Sequence, residues 1–188
     1  HTLLSASGDT KTLHQGLETI HTTSDRLLRF VDSYRAVTRI PTPQKTPFYL
    51  AELVTEALSL IPHEDIEVEV SLDPADTMLY ADRTQMSQVL VNLLKNATEA
   101  LMAQDCERKI TIRSTIDAEE RIQIEITNNG SAIPQEVAEN IFTPFFTTKT
   151  DGSGIGLAVS RQIIRLHGGS LRLKHNEEGR VTFLVVVE

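Results

Sequence analysis

The sequence is poor in several features, and each scarcity limits what the protein can be. Cys106 is its only cysteine, so no disulfide can form within the chain, and a single unpaired thiol is typical of a reducing compartment. No apolar run approaches the roughly 20 residues that span a bilayer, and the start shows no signal-peptide pattern. We therefore expect a soluble, cytoplasmic segment that makes no membrane contact. His1 stands where a start methionine would, so a longer parent protein, with or without a membrane anchor, stays open.

Positive charge is also scarce over most of the chain. The formal net charge is -8. Residues 1–45 carry six Lys or Arg against four Asp or Glu, a balance of +2, so the remainder carries -10. This acidic excess argues against nucleic acid as a partner. A length of 188 residues with 40% apolar composition allows one well-filled core and an appendage.

A helical stripe runs through residues 11–40. Its members alternate at steps of four and three, and they are Leu13, Leu17, Ile20, Ser24, Leu27, Val31 and Tyr34. This is the heptad spacing of a helix that packs against other helices. Such a helix cannot bury its stripe alone, so we predict self-association as a homodimer through residues 11–40. Three prolines between residues 41 and 47 end the pattern, which places a domain boundary near residue 45 and predicts domains over 1–45 and 46–188.

Strand and helix patterns alternate irregularly after this linker. We predict strands over 48–49, 66–70 and 78–81, a helix over 50–61, and a second helix that Asp82 or Thr84 caps and that runs to about Met102. Hairpins are predicted over 109–127 and 170–187, with helices over 134–140 and 155–167 between them. Hairpins in place of successive crossovers favour an α+β fold, a two-layer α/β sandwich in which a mixed sheet packs on helices.

The glycine-rich segment, residues 142–157, has the sequence FTPFFTTKTDGSGIGL and precedes a helical pattern. Gly152, Gly154 and Gly156 would let backbone N–H groups approach an anion at the positive end of the following helix. Glycine-rich turns before helices also serve as plain connectors, so this motif alone does not establish a phosphate site.

The predicted helix over 85–101 carries amides on one face. Gln88, Asn92 and Asn96 are spaced at i, i+4 and i+8. They can be plain surface amides. Asparagine is only a middling helix former, however, and its carbonyl is a hard, neutral oxygen suited to Mg²⁺.

Four segments together resemble a known family. NLLKNATEA (92–100), NNGSAIP (128–134), FTPFFTTK (142–149) and GSGIGLAVSRQIIRLHGGSL (152–171) resemble, in order, the N, G1, F and G2 boxes of the sensor histidine kinases of two-component signal transduction. These kinases share a superfamily with gyrase B, Hsp90 and MutL. Residues 13–43 (LHQGLETIHTTSDRLLRFVDSYRAVTRIPTP) resemble the second helix of the dimerisation and phosphoacceptor hairpin in the nitrogen-sensor type.

The resemblance implies a Bergerat-type ATP-binding fold with ATP and Mg²⁺ as cofactors. It implies that Asn96 ligates Mg²⁺, that Asn92 lies near the phosphates and that Thr182 lies near the adenine pocket. Lys95 either reaches phosphate or is a solvated helix charge. Phe142, Phe145 and Phe146 form either a hydrophobic latch for this segment or part of the ordinary core. The implied nucleotide-binding residues are Asn92, Lys95, Asn96, Asn128, Gly130, Ala132, Thr147, Thr148, Lys149, Gly152, Gly154, Ile155, Gly156, Leu157 and Thr182.

The resemblance also implies the type of reaction. Hydrolytic relatives carry a water-activating glutamate where this chain has Asn92, and an amide cannot act as a general base. Transfer of the γ-phosphoryl group to a histidine, and then to an aspartate of a response regulator, is therefore expected over hydrolysis. His1, His14 and His21 are followed by Thr, Gln and Thr, whereas a phosphoacceptor is normally followed by Glu or Asp. We assign no catalytic residue and expect the acceptor to lie upstream, so that this chain binds ATP without phosphorylating itself.

Two departures from the family pattern leave alternatives open. The adenine-reading box normally begins with Asp, and here Asn128 can still accept a hydrogen bond from the adenine amino group but without charge assistance. Ala132 replaces a glycine and stiffens the loop. We expect weaker nucleotide affinity. One alternative is a degenerate kinase that acts as a non-catalytic dimerisation module, and another is an ATP-driven scaffold ATPase of the same superfamily.

Overall fold

The computed structural model describes residues 14–24, 31, 40–102, 107–149 and 152–188, and the chain divides into two compact units, His1–Arg39 and Ile40–Glu188. In the first unit, residues 14–24 and Val31 are helical. The side chains of Leu17 and Ile20 are 56% and 64% exposed, so the predicted apolar stripe is open to solvent at these positions. The stripe positions Leu13, Leu27 and Tyr34 lie outside the described residues.

The second unit contains seven strands and four helices within its described ranges. They are β1 (Thr46–Tyr49), α1 (Leu50–Ser59), β2 (Glu67–Leu72), β3 (Met78–Ala81), α2 (Arg83–Met102), β4 (Lys109–Ile116), β5 (Ile122–Asn128), α3 (Gln135–Ala138), α4 (Gly156–Leu166), β6 (Ser170–Glu177) and β7 (Arg180–Val187). No described helix is both long and apolar enough to cross a membrane. These bounds differ from the predicted ones mostly by one to three residues at element ends.

Five strands form one mixed sheet in the order β2-β4-β5-β7-β6. The β4–β5 and β6–β7 hairpins are antiparallel, as the sequence predicts, and β5 and β7 also pair antiparallel. β2 and β4 are parallel, and β1 and β3 form a separate two-stranded antiparallel sheet. Sequence reasoning predicted neither of these two pairings, because both join segments that are distant along the chain.

The helices cover one face of the large sheet. Strand β5 alternates between buried and half-buried side chains, and its buried set consists of Ile122, Ile124, Ile126 and Asn128. Helix α2 packs against α1, α4 and β5, and its buried apolar side includes Leu90, Leu93, Leu94, Ala97 and Leu101. Burying each such leucine contributes about 1.5–3 kcal/mol. The predicted two-layer α+β sandwich is confirmed.

The start of α2 is tied to the end of α4. Asp82 caps α2, because its Oδ1 accepts the Gln85 N–H at 3.0 Å, so the first of the two predicted caps is the one used. The Asp82 N–H in turn donates to Nε2 of the buried His167 at 3.0 Å. Burial pushes the pKa of Asp82 up, but N–H bonds from Gln44, Gln85 and Thr84 outweigh it and leave the pKa lowered. This junction fixes α2 and α4 side by side.

Candidate functional site

Asn92 joins α2 to the first turn of α4. Its Nδ2 donates to the carbonyl oxygen of Gly156 at 3.3 Å and to the Ser160 hydroxyl at 3.2 Å. A side chain at Gly156 would place its Cβ 3.6 Å from the Asn92 amide carbon, which is an ordinary contact. The asparagine face of α2 is therefore turned toward the helix that follows the glycine-rich segment.

Asn96 lies one turn further along α2 and meets a cation. The Lys149 ammonium donates to Asn96 Oδ1 at 3.3 Å and forms an ion pair with Glu99. Lys95 reaches Glu99 only at 3.8 Å, and its side chain is 68% exposed. Of the two predicted lysines, the structure thus brings Lys149 to the asparagines, and Lys95 lies at the solvent side. Sequence reasoning missed Glu99, although its i+3 spacing from Asn96 could have shown it.

The described part of the glycine-rich segment folds back on itself. Gly154 has φ +67, and its carbonyl oxygen accepts the Phe145 N–H at 2.9 Å. A Cβ on Gly154 would lie 2.6 Å from the Phe145 carbonyl carbon, and one on Gly152 would lie 2.6 Å from the Thr147 hydroxyl. At Gly154 only glycine fits, because the close atoms belong to the backbone, whereas at Gly152 a side chain would require the Thr147 hydroxyl to move. Thr147 and Thr148 are exposed on the same segment.

The phenylalanines of this segment do not act as one group. Phe142 packs edge-to-face on Phe183 of β7 with ring centroids 6.4 Å apart, and the Arg161 guanidinium lies 4.9 Å from the Phe142 ring centroid. Phe145 is 38% exposed and has φ +68, a conformation that non-glycine residues rarely adopt. Phe142 therefore belongs to the packing against the sheet, while the chain turns sharply at Phe145.

Helix α4 begins at Gly156, the last of the three glycines. Ile155 precedes its first turn and supplies no side-chain cap, and Leu157 lies half-buried within that turn. An uncapped first turn keeps backbone N–H groups available for an anion. The predicted backbone contacts of Ile155, Gly156 and Leu157 thus lie beside Asn92.

Asn128 ends β5 on the face that the helices cover. Its side chain is 3% exposed, and Oδ1 accepts the Gly130 N–H at 3.0 Å. A Cβ on Gly130 would lie 2.7 Å from that oxygen, so a side chain there would displace the Asn128 amide. Ala132 does not adopt a positive φ, and an alanine side chain therefore fits its backbone without strain.

Thr182, which is predicted to lie near the adenine pocket, pairs with Thr127 and not with Asn128. The register pairs Asn128 with Val181 and Thr127 with Thr182. Because adjacent side chains on a strand point to opposite faces, Thr182 lies on the face away from Asn128, where its hydroxyl bonds Thr127 at 2.9 Å. Val181, which is 3% exposed, is the β7 residue beside Asn128. No local signal in the sequence shows this choice, since it depends on the register between two strands.

The described residues contain no group of three or more His, Cys, Asp or Glu that could hold a metal. A multidentate protein cage is therefore not available in this part of the chain. A metal here would need most of its ligands from elsewhere, which is how Mg²⁺ is bound together with nucleotide phosphates and water. The oxygen in a suitable place is Asn96 Oδ1, which already contacts an ammonium group.

Comparison with known proteins places the chain in a family. The model of the histidine kinase-, DNA gyrase B- and HSP90-like ATPases matches residues 81–188. The sensor protein FixL of Bradyrhizobium diazoefficiens is 41% identical over 138 residues, 71% of this chain and 27% of FixL. The nitrogen regulation protein NtrY of Azorhizobium caulinodans is 32% identical over 157 residues, 81% of this chain and 20% of NtrY. The chain thus spans roughly a quarter or less of these two curated relatives.

Solved structures agree with the sequence relatives. The catalytic domain of histidine kinase ThkA is 38% identical with a TM-score of 0.67, covering 77% of this chain and 95% of that domain. ThkA in complex with the response regulator protein TrrA is 33% identical with a TM-score of 0.70, covering 90% of this chain and 49% of that chain. The chain therefore belongs to the family of histidine kinase-, DNA gyrase B- and HSP90-like ATPases, and it contains the ATP-binding catalytic domain of a two-component sensor histidine kinase.

Proposed function

We propose that this chain binds Mg-ATP between α2, the start of α4, the end of β5 and the glycine-rich segment. The observation that carries the proposal is the meeting of Asn96 on α2 with Lys149 of the glycine-rich segment, at 3.3 Å, beside the Asn92 contacts to α4. Two neutral amides, the Lys149 ammonium and an uncapped helix start together provide hydrogen-bond donors and one positive charge for the phosphates.

The ends of the nucleotide are assigned by chemistry. Asn128 Oδ1 already accepts one N–H, and a carbonyl oxygen has a second lone pair for the adenine amino group. The phosphates would lie over the backbone N–H groups from Gly152 to Leu157, and Thr147 and Thr148 stand at the same edge. Lys149 would turn from Asn96 and Glu99 toward the terminal phosphate, exchanging one charge-assisted bond for another and leaving Asn96 Oδ1 open to the metal.

Asn96 fits the role of a Mg²⁺ ligand. Its carbonyl oxygen lies in a place where a positive group is already accommodated, next to the Glu99 carboxylate. When bound, Mg²⁺ supplies neutralisation of phosphate charge. Asn92 keeps α4 against α2 and holds no proton that it could transfer, so it positions groups and does not act as a base.

These roles support a phosphoryl-transfer reaction. We propose transfer of the γ-phosphoryl group to a histidine outside this chain, and from there to an aspartate of a response regulator. The ThkA–TrrA complex supports a regulator as partner. The exposed Leu17 and Ile20 support a homodimer through residues 11–40, and a cytoplasmic location suits a protein that uses ATP.

Calorimetric titration with a non-hydrolysable ATP analogue tests the proposal. The unaltered chain should bind it in the presence of Mg²⁺, and Asn96→Ala should weaken Mg-dependent binding by at least about tenfold, because the metal loses its protein ligand. Asn140→Ala is a matched control, since Asn140 bonds only locally to Glu136. On binding, hydrogen exchange across residues 142–157 should slow.

Three results would contradict the proposal. The first is the absence of heat at high micromolar nucleotide. The second is equal affinity of the unaltered chain and Asn96→Ala with Mg²⁺ present. The third is steady-state ATP hydrolysis that disappears in Asn96→Ala, which would instead favour the scaffold ATPase.

A further inference from the structure

The 129–134 loop has no regular secondary structure, yet it is held on both flanks. On one flank Asn129 bonds the start of β4, with Nδ2 donating to the Glu107 carbonyl at 2.7 Å and Oδ1 accepting the Lys109 N–H at 2.8 Å. On the other flank the β6–β7 turn contacts the loop, since the Gly179 N–H donates to the Gly130 carbonyl at 3.1 Å. The loop therefore has a defined place between two parts of the sheet.

Asn176 makes the most complete of these contacts. Its Oδ1 accepts the Ile133 N–H at 2.7 Å, and its Nδ2 donates to the Ile133 carbonyl at 2.8 Å. One planar carboxamide thus satisfies both backbone groups of one residue, as a neighbouring strand would. Both bonds can form only in one orientation of Ile133, so Asn176 fixes the loop in direction as well as in place.

The loop in turn fixes the amide of Asn128. Because the Gly130 N–H needs an acceptor, it holds the oxygen of that amide, and not its NH₂ group, toward the loop. Moving the loop would remove this constraint and allow the amide to turn over. The turned amide would present a donor where an acceptor stood.

We propose that Asn176 is a positioning residue for nucleobase selection, acting through the loop on Asn128. This inference rests on the proposed function. Adenine presents an amino donor where guanine presents a carbonyl acceptor, so a fixed Asn128 oxygen favours adenine and a free amide accepts either base. An aspartate at position 128 would present an acceptor in either orientation. With Asn128 the acceptor faces the base only when the amide is held, and Asn176 provides that hold through the loop.

Titration of the full chain with Mg-ATP and Mg-GTP tests the role. Asn176→Ala should weaken ATP binding about tenfold, the size expected when the neutral hydrogen bond from the adenine amino group to Asn128 is lost. GTP binding should change much less, so the ratio of the two dissociation constants shrinks. Asn176→Asp keeps the acceptor for the Ile133 N–H, so its ATP affinity should fall between those of the unaltered chain and Asn176→Ala. Asn140→Ala should match the unaltered chain for both nucleotides.

Hydrogen exchange without nucleotide provides a separate readout. The Ile133 amide should exchange faster in Asn176→Ala than in the unaltered chain, with the melting temperature of the fold nearly unchanged. The inference is overturned by unchanged exchange at Ile133, by unchanged ATP affinity, or by equal losses of ATP and GTP affinity, which would indicate a general structural role. If the unaltered chain binds no ATP, the proposed function fails, while exchange at Ile133 still decides whether Asn176 holds the loop.

Discussion

Gly154 is the residue whose conformation most constrains the glycine-rich segment. Its φ of +67 lies in the left-handed region, and a Cβ there would meet three backbone atoms of Phe145 and Phe146 within 3 Å. A left-handed conformation costs an alanine about 1–2 kcal/mol, and a backbone clash adds to that because backbone atoms cannot rotate away. The turn at Phe145 and Gly154 therefore depend on each other.

Replacing Gly154 by alanine should disturb the site more than the same change at Gly179. Gly179 has φ +72 but would place its Cβ in open space, so Gly179→Ala carries the conformational cost of about 1–2 kcal/mol without a backbone clash. We expect Gly154→Ala to weaken Mg-ATP binding by at least about tenfold by moving Lys149 and the first turn of α4. Calorimetric titration and urea unfolding of both variants provide the comparison. Equal behaviour of the two variants would show that the close contact has no role.

At the scale of elements, Asp117 organises the turn of the β4–β5 hairpin. Its two carboxylate oxygens accept N–H groups from Glu119, Arg121 and Gln123 at 3.0 Å. The Arg121 guanidinium lowers the pKa of Asp117 most, partial burial opposes this, and the further N–H bonds hold the pKa well below its usual range. The ionised carboxylate is thus the form that the folded hairpin favours.

This pKa shift predicts a dependence of stability on pH. A carboxyl group whose pKa is lowered by folding stabilises the protein above its unfolded pKa of about 3.9, and this contribution is lost as pH falls toward the folded pKa. Asp117→Asn should therefore be less stable than the unaltered chain at pH 7, with the difference shrinking below about pH 4. Urea unfolding at pH 7, 5, 4 and 3 measures it, with the exposed Asp76→Asn as control. A difference that stays constant with pH would refute the assignment.

At the scale of the whole molecule, the first unit exposes apolar side chains in its described part. Leu17 and Ile20 lie three residues apart on one helix and are each more than half exposed. A helix with such a stripe is stable in water chiefly when another helix covers it. We therefore propose that self-association takes place through this unit, while the proposed nucleotide site lies in the other.

A charge in this stripe should weaken association without affecting nucleotide binding. Ile20→Glu would bury a carboxylate in an apolar contact, so we expect the dissociation constant of any self-association to rise by at least about tenfold. Leu60→Glu is the control, because Leu60 is 62% exposed in the second unit. Sedimentation analysis over a range of concentrations measures association, and titration with Mg-ATP checks the site. Loss of association in both variants, or in neither, would contradict a specific role of the stripe.

Local elements were predictable wherever a short-range pattern sufficed. The strands Met78–Ala81 and Lys109–Ile116 and the cap at Asp82 follow from alternation and capping chemistry within a few residues. The parallel pairing of β2 with β4 and the separate β1–β3 sheet were not predictable, because nothing local selects a distant partner strand. The contact of Phe142 with Phe183 was likewise not predictable, because Phe183 lies on the distant strand β7.

The sequence by itself determined the chemistry of the site, since helical periodicity places Asn92 and Asn96 on one face and glycine alone permits the backbone at 154. Only the tertiary structure decided which residues meet. It brings Lys149 to Asn96 across 53 positions, and it joins Asn176 to Ile133. It also sets Val181 in place of Thr182 beside Asn128, because the pairing of two strands determines which side chain faces the helices, and a shift of one residue reverses it.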